Sequence, residues 1–370
     1  MDFGFTEEQE MLRTSFKDFF KKESPPAVVR EVMSKRQDYS KQLYQKMAEL
    51  GFLGLMIPES YGGMGGGWID MAIFYEEAGR ALLQSPHFNT VVLGGQLILA
   101  VGSENNKKSL LPQIMNGDLI LAVAIKEKGA ETDVSLIKTT AKATDNGYTL
   151  KGNKIFVSSP HIADKLLVVA KVGRKLGLFL VDGKTAGITL VPMQSMTGEA
   201  MYEVDFKNVA VPADALVGEP VAAKVITGIV EKAKIMTCSA MVGMCQPALE
   251  MAIEYSKERK AFGHPIGSFQ ALQHKMARIA MGIDGARWLT YYTAWKLDKG
   301  VPAEADIAMT KLYVGQASAY AVSEASQVHG AVGVFRDHNL TLYFTRVMAE
   351  QLSLGQKYDI LETIAQSLGI

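Results

Sequence analysis

The hydrophobic residues of this chain change their spacing twice, near Gly117 and near Gly218. They recur at helical intervals before the first point and after the second, and between the two points they alternate with polar residues in short runs. Alternation is typical of strands that bury one face. The order predicts an α+β fold with an N-terminal helical domain over 1–118, a middle antiparallel β domain over 119–218 and a C-terminal four-helix bundle over 219–370.

Several local signals fix where the first helices begin and end. Thr6 is followed three residues later by Gln9, and this capping box predicts a helix start. Gly51 predicts the end of a later helix, because glycine readily takes the left-handed conformation found there. Helical spacing then predicts that helices resume around 69–83 and that another helical stretch runs from about 91 to 116.

The middle segment contains short alternating runs that turn signals separate. One such signal is Asp145-Asn146-Gly147, which is typical of a tight hairpin. The runs cover 119–125, 139–143, 148–150, 154–157, 166–172, 176–181, 188–192 and 202–206. After them, helical spacing predicts helices over 225–260, 270–299, 303–328 and 356–368.

The charge balance and the two cysteines limit the kinds of partner. Lys plus Arg and Asp plus Glu both number 39, so we expect neither a nucleic-acid surface nor a polybasic membrane surface. No apolar run is long enough to predict a membrane span, and the first residues do not form a secretory signal. Cys238 and Cys245 lie seven residues apart on one predicted helix face and are interpreted as buried thiols, which fits a cytoplasmic protein.

The common local motifs of catalysis are missing from the sequence. No Gly-x-Gly-x-x-Gly follows a strand, no phosphate-binding loop occurs, and no His/Cys group has metal-ligand spacing. No metal site is therefore predicted, and the residues alone predict only an α–β–α protein.

Four segments, in their order and spacing, give the chain a family resemblance that covers nearly its whole length. These are Leu55–Gly63, Arg259–Gln270 with its Arg-Lys-Ala-Phe-Gly start, Gln327–Gly333, and 126–133 with Glu127 and Asp133 at the expected separation. Together they resemble the acyl-CoA dehydrogenase family. The resemblance implies the predicted fold, FAD as cofactor, an acyl-CoA substrate from fatty acid or carboxylic acid metabolism, and an electron-transfer flavoprotein or similar acceptor. It also implies a dimer or tetramer, because FAD is shared between subunits.

The resemblance also implies which residues hold FAD. Phe156 would cover one flavin face and exclude water, and Ser158 would hydrogen-bond the N5 edge. Arg259 would bind the pyrophosphate with its guanidinium fork, whereas Lys126 replaces a hydroxyl residue that faces the ring. The full implied set is Val123, Ile125, Lys126, Thr132, Phe156, Ser158, Arg259, Phe262, Gln270, Gln327 and Gly330. On the substrate side it implies Thr132 and Lys234, the latter where the family has Arg beside the thioester pocket.

The residues that remove the α-proton in this family have no counterpart here. Gly355 and Ala233 stand at the family's two glutamate positions, so neither carries a carboxylate. Oxidation of an acyl-CoA needs a base near Cα. Side chains close to these positions in sequence are candidates for a relocated base: Glu350, Asp359, Glu231, Glu362 and, beside Pro86, His87.

Three hypotheses follow from the missing glutamate. The chain is a dehydrogenase with a relocated base, or a subunit of a heteromeric enzyme whose partner supplies the glutamate, or a relative with other flavin chemistry, such as a monooxygenase or desulfinase. The partner hypothesis is preferred because both glutamate positions are empty, and Val328–Gly333 with Asp337-His338-Asn339-Leu340 resembles that subgroup's turn. This hypothesis predicts little or no dehydrogenase activity from the chain alone. A wholly non-enzymatic role is the least favoured alternative.

Overall fold

The computed structural model describes residues 4–35, 39–130, 133–355 and 357–370. Within them the chain forms two compact units, and it passes from one to the other four times. One unit comprises the residues up to Glu31, Gly67–Leu83 and Lys234–Ile370; the other comprises Val32–Gly66 and Gln84–Ala233. The predicted boundaries at residues 118 and 218 stay predictions.

The described part of the first 118 residues is helical. The α-helices are α1 (Glu7–Glu23), α2 (Pro26–Lys35), α3 (Lys41–Glu49), α4 (Trp68–Arg80), α5 (Gln96–Val101) and α6 (Glu104–Met115). The predicted capping box of Thr6 and Gln9 is confirmed at the start of α1. The predicted end at Gly51 is confirmed too, since this glycine has φ +79° directly after α3.

The stretch predicted over about 91–116 is confirmed as helical, but it is interrupted once, at Gly102 and Ser103. A π-helix covers Phe88–Gly95, α5 follows without a gap, and α6 starts anew after Gly102. The break occurs because Ser103 caps α6: its side chain accepts a hydrogen bond from the backbone N–H of Asn106.

Strands of the middle segment form one sheet, and its buried face carries residues such as Val168, Phe179 and Phe206. The strands are β1 (Leu121–Ala124), β2 (Thr140–Thr144), β3 (Gly147–Ser158), β4 (Lys165–Val172), β5 (Lys175–Val181), β6 (Ile188–Met193), β7 (Met201–Pro212) and β8 (Leu216–Val221). Their order is β6-β7-β3-β2-β4-β5-β8, and β1 pairs with β4.

The sheet is antiparallel except around β4. There β1 runs parallel to β4, and Thr140 of β2 pairs in parallel with Lys171. The sheet is therefore mixed at this point rather than purely antiparallel as predicted. The reason is connectivity: the β2–β3 hairpin lies between β1 and β4 along the chain, and this makes the connection long enough for parallel pairing.

The two runs predicted over 148–150 and 154–157 are one long strand, β3. Its pairing with β7 is irregular between Leu150 and Gly152 and again between Lys154 and Val157. Gly152 has φ +155°, and a Cβ there would lie 2.3 Å from Thr139 Oγ1, so the strand passes that point only with glycine. These irregularities interrupt the alternation that sequence reasoning depends on.

Helices return after β8. They are α7 (Ala223–Glu258), α8 (Gln270–Asp298), α9 (Glu304–His329), α10 (Asn339–Leu352) and α11 (Lys357–Leu368), and a short hairpin of β9 (Lys260–Ala261) and β10 (His264–Pro265) precedes α8. Sequence analysis missed α10, whose start is capped by His338 through its Nδ1 rather than by a usual capping residue.

The cysteines are free and buried on α7, as predicted. Burial raises the pKa of Cys238 to about 11 and that of Cys245 to about 12. Neither thiol is therefore a reactive thiolate near neutral pH. No helix in the described part of the chain combines the length and apolar character needed to cross a membrane.

Candidate active site

A buried ion pair ties the segment after β1 to β3. The Nζ of Lys154 donates to Glu127 Oε1 at 2.7 Å and to the carbonyl of Ile125 at 2.9 Å. The same carboxylate accepts the backbone N–H groups of Lys138 at 2.6 Å and Thr139 at 3.0 Å. One carboxylate and one ammonium thus hold both ends of the 125–139 segment against β3.

The surroundings keep the Glu127 carboxyl ionised. Burial raises its pKa, but the Lys154 ammonium and the hydrogen bonds from Thr139 and Lys138 outweigh that effect, so the pKa lies below its usual value. Beside the pair, the N–H of Ile155 donates to the carbonyl of Lys126 at 2.9 Å. Lys126 is therefore fixed next to the part of β3 that carries Phe156.

Phe156 has a strained backbone and an exposed ring. Its φ is +54°, which is uncommon for a side chain of this size, and 50% of the residue is exposed. Val157 follows with 1% exposure, and Ser158 is partly buried. Strain of this kind persists only where the surrounding structure enforces it, and it concentrates at ligand sites. The irregular pairing after Lys154 presents the aromatic ring outward.

A pocket opens beside Ser158. Its polar lining consists of Ser158, Ser159, Ser85, Asn89 and Glu199, and its apolar lining of Pro86, Ile120, Leu121 and Ile162. Hydroxyl, amide and carboxylate groups of this kind can bind the amide and carbonyl groups of an extended ligand. Sequence reasoning missed Ser85, Asn89, Ser159 and Glu199, which belong to no motif. In the structure, Ser159 has a left-handed φ of +48°.

The residues that the resemblance assigns to the pyrophosphate and adenosine are exposed. Arg259 directly follows α7, and Phe262, in the turn of the β9–β10 hairpin, is 92% exposed with φ +54°. Gln270 begins α8, while Gln327 lies near the end of α9, and both are exposed. Gly330 has φ +60° and no atom within 4 Å of a Cβ built on it, so a ligand can approach its backbone.

These features fit FAD. An outward aromatic ring at Phe156, an exposed ring at Phe262 and an exposed guanidinium at Arg259 match the needs of a flavin, an adenosine and a diphosphate respectively. Val123 is buried on β1, whereas Ile125 and Lys126 are partly buried just after it. Thr132, predicted on both the cofactor and the substrate side, lies outside the described residues. No group of His, Cys, Asp or Glu in the described ranges could hold a metal ion.

A lysine side chain lies beside Gly355, one of the two positions where the resemblance places the family's glutamate. Gly355 is buried with φ +147°, and Leu354 before it has φ +56°. The Nζ of Lys234 is 3.6 Å from the Cβ that a side chain at 355 would have, and Lys234 is 8% exposed. Ala233, the other position, is buried on α7.

A second buried lysine, Lys311, links α9 to α7 and α10 near Lys234. Lys311 of α9 donates to the carbonyl of Glu350 at 2.7 Å and to Thr237 Oγ1 at 3.2 Å, and Thr237 donates to the carbonyl of Lys234 at 2.8 Å. Burial, together with the nearby Lys234 ammonium, lowers the pKa of Lys311. The end of α10 is thus held against α7 where the base was expected.

The carboxylates predicted as candidates for a relocated base are either paired with neighbouring side chains or exposed. The Glu350 carboxylate accepts from Ser353 at 3.1 Å and lies 3.6 Å from the Arg346 guanidinium. Asp359 and Glu362 are exposed on α11, and Glu231 is partly exposed on α7.

His87 is a poor acceptor for the α-proton. It is 1% exposed, and burial lowers its pKa to about 3, against a weaker raising effect from the backbone of Phe52. A general base works best when its pKa lies near the operating pH.

Comparison with known proteins identifies three consecutive profiles of one family along the chain. They are the N-terminal domain of acyl-CoA dehydrogenases over residues 6–118, the middle domain over 122–209 and the C-terminal domain over 223–369. Among curated relatives, "Probable acyl-CoA dehydrogenase YngJ" of Bacillus subtilis is 32% identical, covering 92% of both chains. The 3-(aryl)acrylate reductase of Clostridium sporogenes is 30% identical, covering 91% of this chain and 92% of the relative.

Similar solved structures cover the whole chain. Butyryl-CoA dehydrogenase from Megasphaera elsdenii has a TM-score of 0.91 at 28% identity, with 100% of both chains covered. A chain of the ChsE4-ChsE5 complex from Mycobacterium tuberculosis has a TM-score of 0.91 at 26% identity, covering 100% of this chain and 99% of that one. PigA, solved with FAD and proline, has the same TM-score, identity and coverage.

Proposed function

The chain belongs to the acyl-CoA dehydrogenase family, and from this we propose that it is an FAD-dependent oxidoreductase acting on the CH–CH bond of an acyl-CoA thioester. Bound FAD would accept the hydride from Cβ. The similar butyryl-CoA dehydrogenase and the FAD-bound PigA support this assignment.

The proposed cofactor roles rest on geometry within each unit. The Phe156 ring would cover the flavin and exclude water, and Ser158 would hydrogen-bond its N5 edge. The ion pair of Lys154 and Glu127 holds the strand that carries both residues. Arg259 would bind the pyrophosphate, with Phe262 against the adenosine, in a site shared with a second subunit.

The proposed ligand is a CoA thioester. The pocket beside Ser158 offers the amide of Asn89 and the hydroxyls of Ser85 and Ser159, which suit the amides and carbonyls of a pantetheine arm. An electron-transfer flavoprotein or a similar protein would accept the electrons. Thermal-shift measurements with CoA esters and with the free acids test this part, and stabilisation by non-CoA ligands alone would contradict it.

For dehydrogenation, we further propose that the chain works with a homologous partner that supplies the glutamate. The observation that carries this is the cation of Lys234 beside Gly355, where a carboxylate would be needed. A related chain solved as part of the ChsE4-ChsE5 complex supports such an arrangement. A self-sufficient enzyme with a relocated base is the competing hypothesis.

One experiment separates the two hypotheses. The chain is expressed alone and together with a homologous gene adjacent to its own, and enoyl-CoA formation is assayed with an artificial electron acceptor. Activity from the pair alone would support the partner. Full activity from the single chain would contradict it and direct the search for a base to Glu350 and the pocket carboxylate Glu199. Absence of flavin absorbance in both preparations would contradict the cofactor assignment itself.

A further inference from the structure

The turn that joins α9 to α10, residues 330–338, presents an open backbone to a ligand. Gly330 has φ +60°, and no atom lies within 4 Å of a Cβ built on it. Gln327, in the last turn of α9, is exposed as well. By contrast, a Cβ at Gly333 would lie 2.8 Å from the carbonyl oxygen of Ser326 and from the Cβ of His329. The turn thus leaves Gly330 accessible while Gly333 is fixed against α9.

Arg30 of α2 holds the end of this turn. Its guanidinium donates to the carbonyl of Arg336 at 3.1 Å and to that of Asp337 at 2.9 Å, and the side chains of both these residues are exposed. It also donates to Oδ1 of Asn339, the first residue of α10, at 3.2 Å and 3.3 Å. Arg30, the turn and α10 belong to the same compact unit. A planar fork of donors fixes three acceptors at once, which a lysine ammonium does less well.

His338 connects the turn to α10 as its cap. The Nδ1 atom of His338 accepts the backbone N–H of Leu340 at 3.2 Å, so Nδ1 carries no proton in this arrangement. The backbone N–H of His338 donates to the carbonyl of Phe335 at 3.0 Å, and its carbonyl accepts the N–H of Thr341 at 3.2 Å. Loss of the Nδ1 acceptor would leave a backbone donor at the start of α10 without its partner.

The His338 ring lies among groups that disfavour its charged form. The ring of His329, the last residue of α9, has its centroid 4.9 Å from that of His338, and it stacks on Tyr255 of α7 at 4.6 Å. Burial, then His329 and then the Arg30 guanidinium lower the pKa of His338 below its usual value. The positive end of the α10 dipole acts in the same direction. Neutral His338 is therefore the form that this turn stabilises.

We propose that His338 and Arg30 are positioning residues for FAD, which hold the turn in the conformation that binds the adenosine half, and that protonation of His338 releases the turn. The proposal rests on the proposed function, because it takes FAD as the ligand. The family of the chain and the open backbone at Gly330 support that choice. An imidazolium carries an N–H on both ring nitrogens, so Nδ1 would face the N–H of Leu340 donor to donor. The cap is then lost, one proton is taken up and FAD binds less tightly.

The direction of the pH dependence follows from the lowered pKa. With FAD bound, His338 stays neutral, whereas in the released turn its pKa returns to the ordinary value of 6.5. FAD binding is therefore strongest above pH 6.5, and it weakens as the pH falls below that value because the released form takes up a proton. Between pH 7.5 and pH 5.5 the Kd for FAD should rise roughly 10-fold for one such group.

The test dilutes the FAD-loaded chain at pH 7.5, 6.5 and 5.5 and obtains the Kd from the fluorescence of the released flavin. Circular dichroism at each pH verifies that the protein stays folded. His338→Asn replaces the ring with a capping side chain that does not titrate, whereas His338→Leu removes the cap. Arg30→Lys keeps the charge but loses the fork. His274→Asn, at an exposed histidine on α8, is the matched control.

We expect His338→Asn to bind FAD as tightly as the original chain at pH 7.5 and to lose the rise in Kd at pH 5.5, which His274→Asn should keep. A merely structural role of the ring would not produce this flattened pH profile. His338→Leu and Arg30→Lys should raise the Kd at every pH by about 5-fold, the equivalent of a lost cap.

Three outcomes would overturn the inference without touching the proposed function. The first is the same pH dependence in His338→Asn as in the original chain. The second is an unchanged Kd at pH 7.5 in both His338→Leu and Arg30→Lys. The third is a loss of affinity at pH 7.5 in His338→Asn as large as that in His338→Leu. If His338→Leu does not fold, the pH profile of His338→Asn decides. If the original chain binds no FAD at any pH, the proposed function fails, and the inference fails with it.

Discussion

Lys154 and Glu127 form an ion pair that is almost completely excluded from solvent, with 2.7 Å between Nζ and Oε1 and side-chain exposures of 0% and 6%. Such a pair is weak evidence for stability, because desolvation offsets much of the attraction. The pair matters because each member makes further hydrogen bonds. The Glu127 carboxylate accepts from three donors, and Lys154 also donates to the carbonyl of Ile125.

Lys154→Met should lower the free energy of unfolding by about 3–5 kcal/mol, because it leaves a buried carboxylate without its counter-ion. Urea unfolding measures the change. Adding Glu127→Gln to this variant should recover part of the loss, since no uncompensated charge remains. Lys151→Met, an exposed lysine on the same strand, is the control. Equal midpoints for Lys154→Met and Lys151→Met would show that the pair does not hold this segment.

Arg259→Ala should weaken FAD binding by about 2 kcal/mol, or roughly 30-fold, because an exposed guanidinium would lose a charge-assisted contact with the pyrophosphate. Flavin retention after dialysis and a titration of the apoprotein with FAD measure this. Lys257→Ala removes an exposed cation on α7 nearby and should change little. Equal loss of FAD from both variants would indicate that only general charge matters.

His87 should make the protein sensitive to mild acid. Its pKa is about 3 when folded and 6.5 ordinarily, so below pH 6.5 the unfolded chain takes up a proton that the folded chain does not. The stability that depends on neutral His87 is fully present above pH 6.5 and is lost progressively as the pH falls towards 3. At pH 5 this lowers the free energy of unfolding by about 2 kcal/mol. Unfolding midpoints between pH 7 and 5 should fall less steeply for His87→Gln than for His264→Gln, an exposed control. Parallel curves would contradict the lowered pKa.

Sequence spacing predicted the features that depend on neighbours along the chain. The capping box at Thr6, the buried cysteines and the order of helical and alternating segments all belong to this kind. Sequence spacing did not predict contacts between distant residues. The pairing of Lys154 with Glu127 and the approach of Lys234 to position 355 depend on how strands and helices pack, which no local pattern encodes.

The details of the candidate site could not be predicted from the sequence for a related reason. The outward ring of Phe156 follows from a pairing irregularity and a left-handed φ, and strict alternation predicts neither. The start of α10 depends on a histidine cap, and the pocket side chains Asn89 and Glu199 belong to no motif. Resemblance to a family predicted which segments bind the cofactor, and the structure describes the environments of those segments.

Gly355→Glu places a carboxylate at the position where the family's glutamate is expected. We expect that this substitution does not restore full dehydrogenase activity. The backbone at 355 has φ +147°, which side chains other than glycine rarely adopt, so the substitution introduces strain. The Lys234 ammonium would also lie beside the new carboxylate and lower its pKa, which makes it a weaker base. Adding Lys234→Met to Gly355→Glu removes this ion pair.

The double variant should therefore dehydrogenate an acyl-CoA faster than Gly355→Glu alone, by about 10-fold if the carboxyl pKa rises by a unit or two. Lys232→Met combined with Gly355→Glu is the matched control, and flavin content is measured in each protein so that rates are compared per bound FAD. Full activity from Gly355→Glu alone would mean that neither the strain nor the cation matters, and that the chain differs from a self-sufficient enzyme by one side chain. Equal, low activity from all three would place the obstacle elsewhere in the pocket.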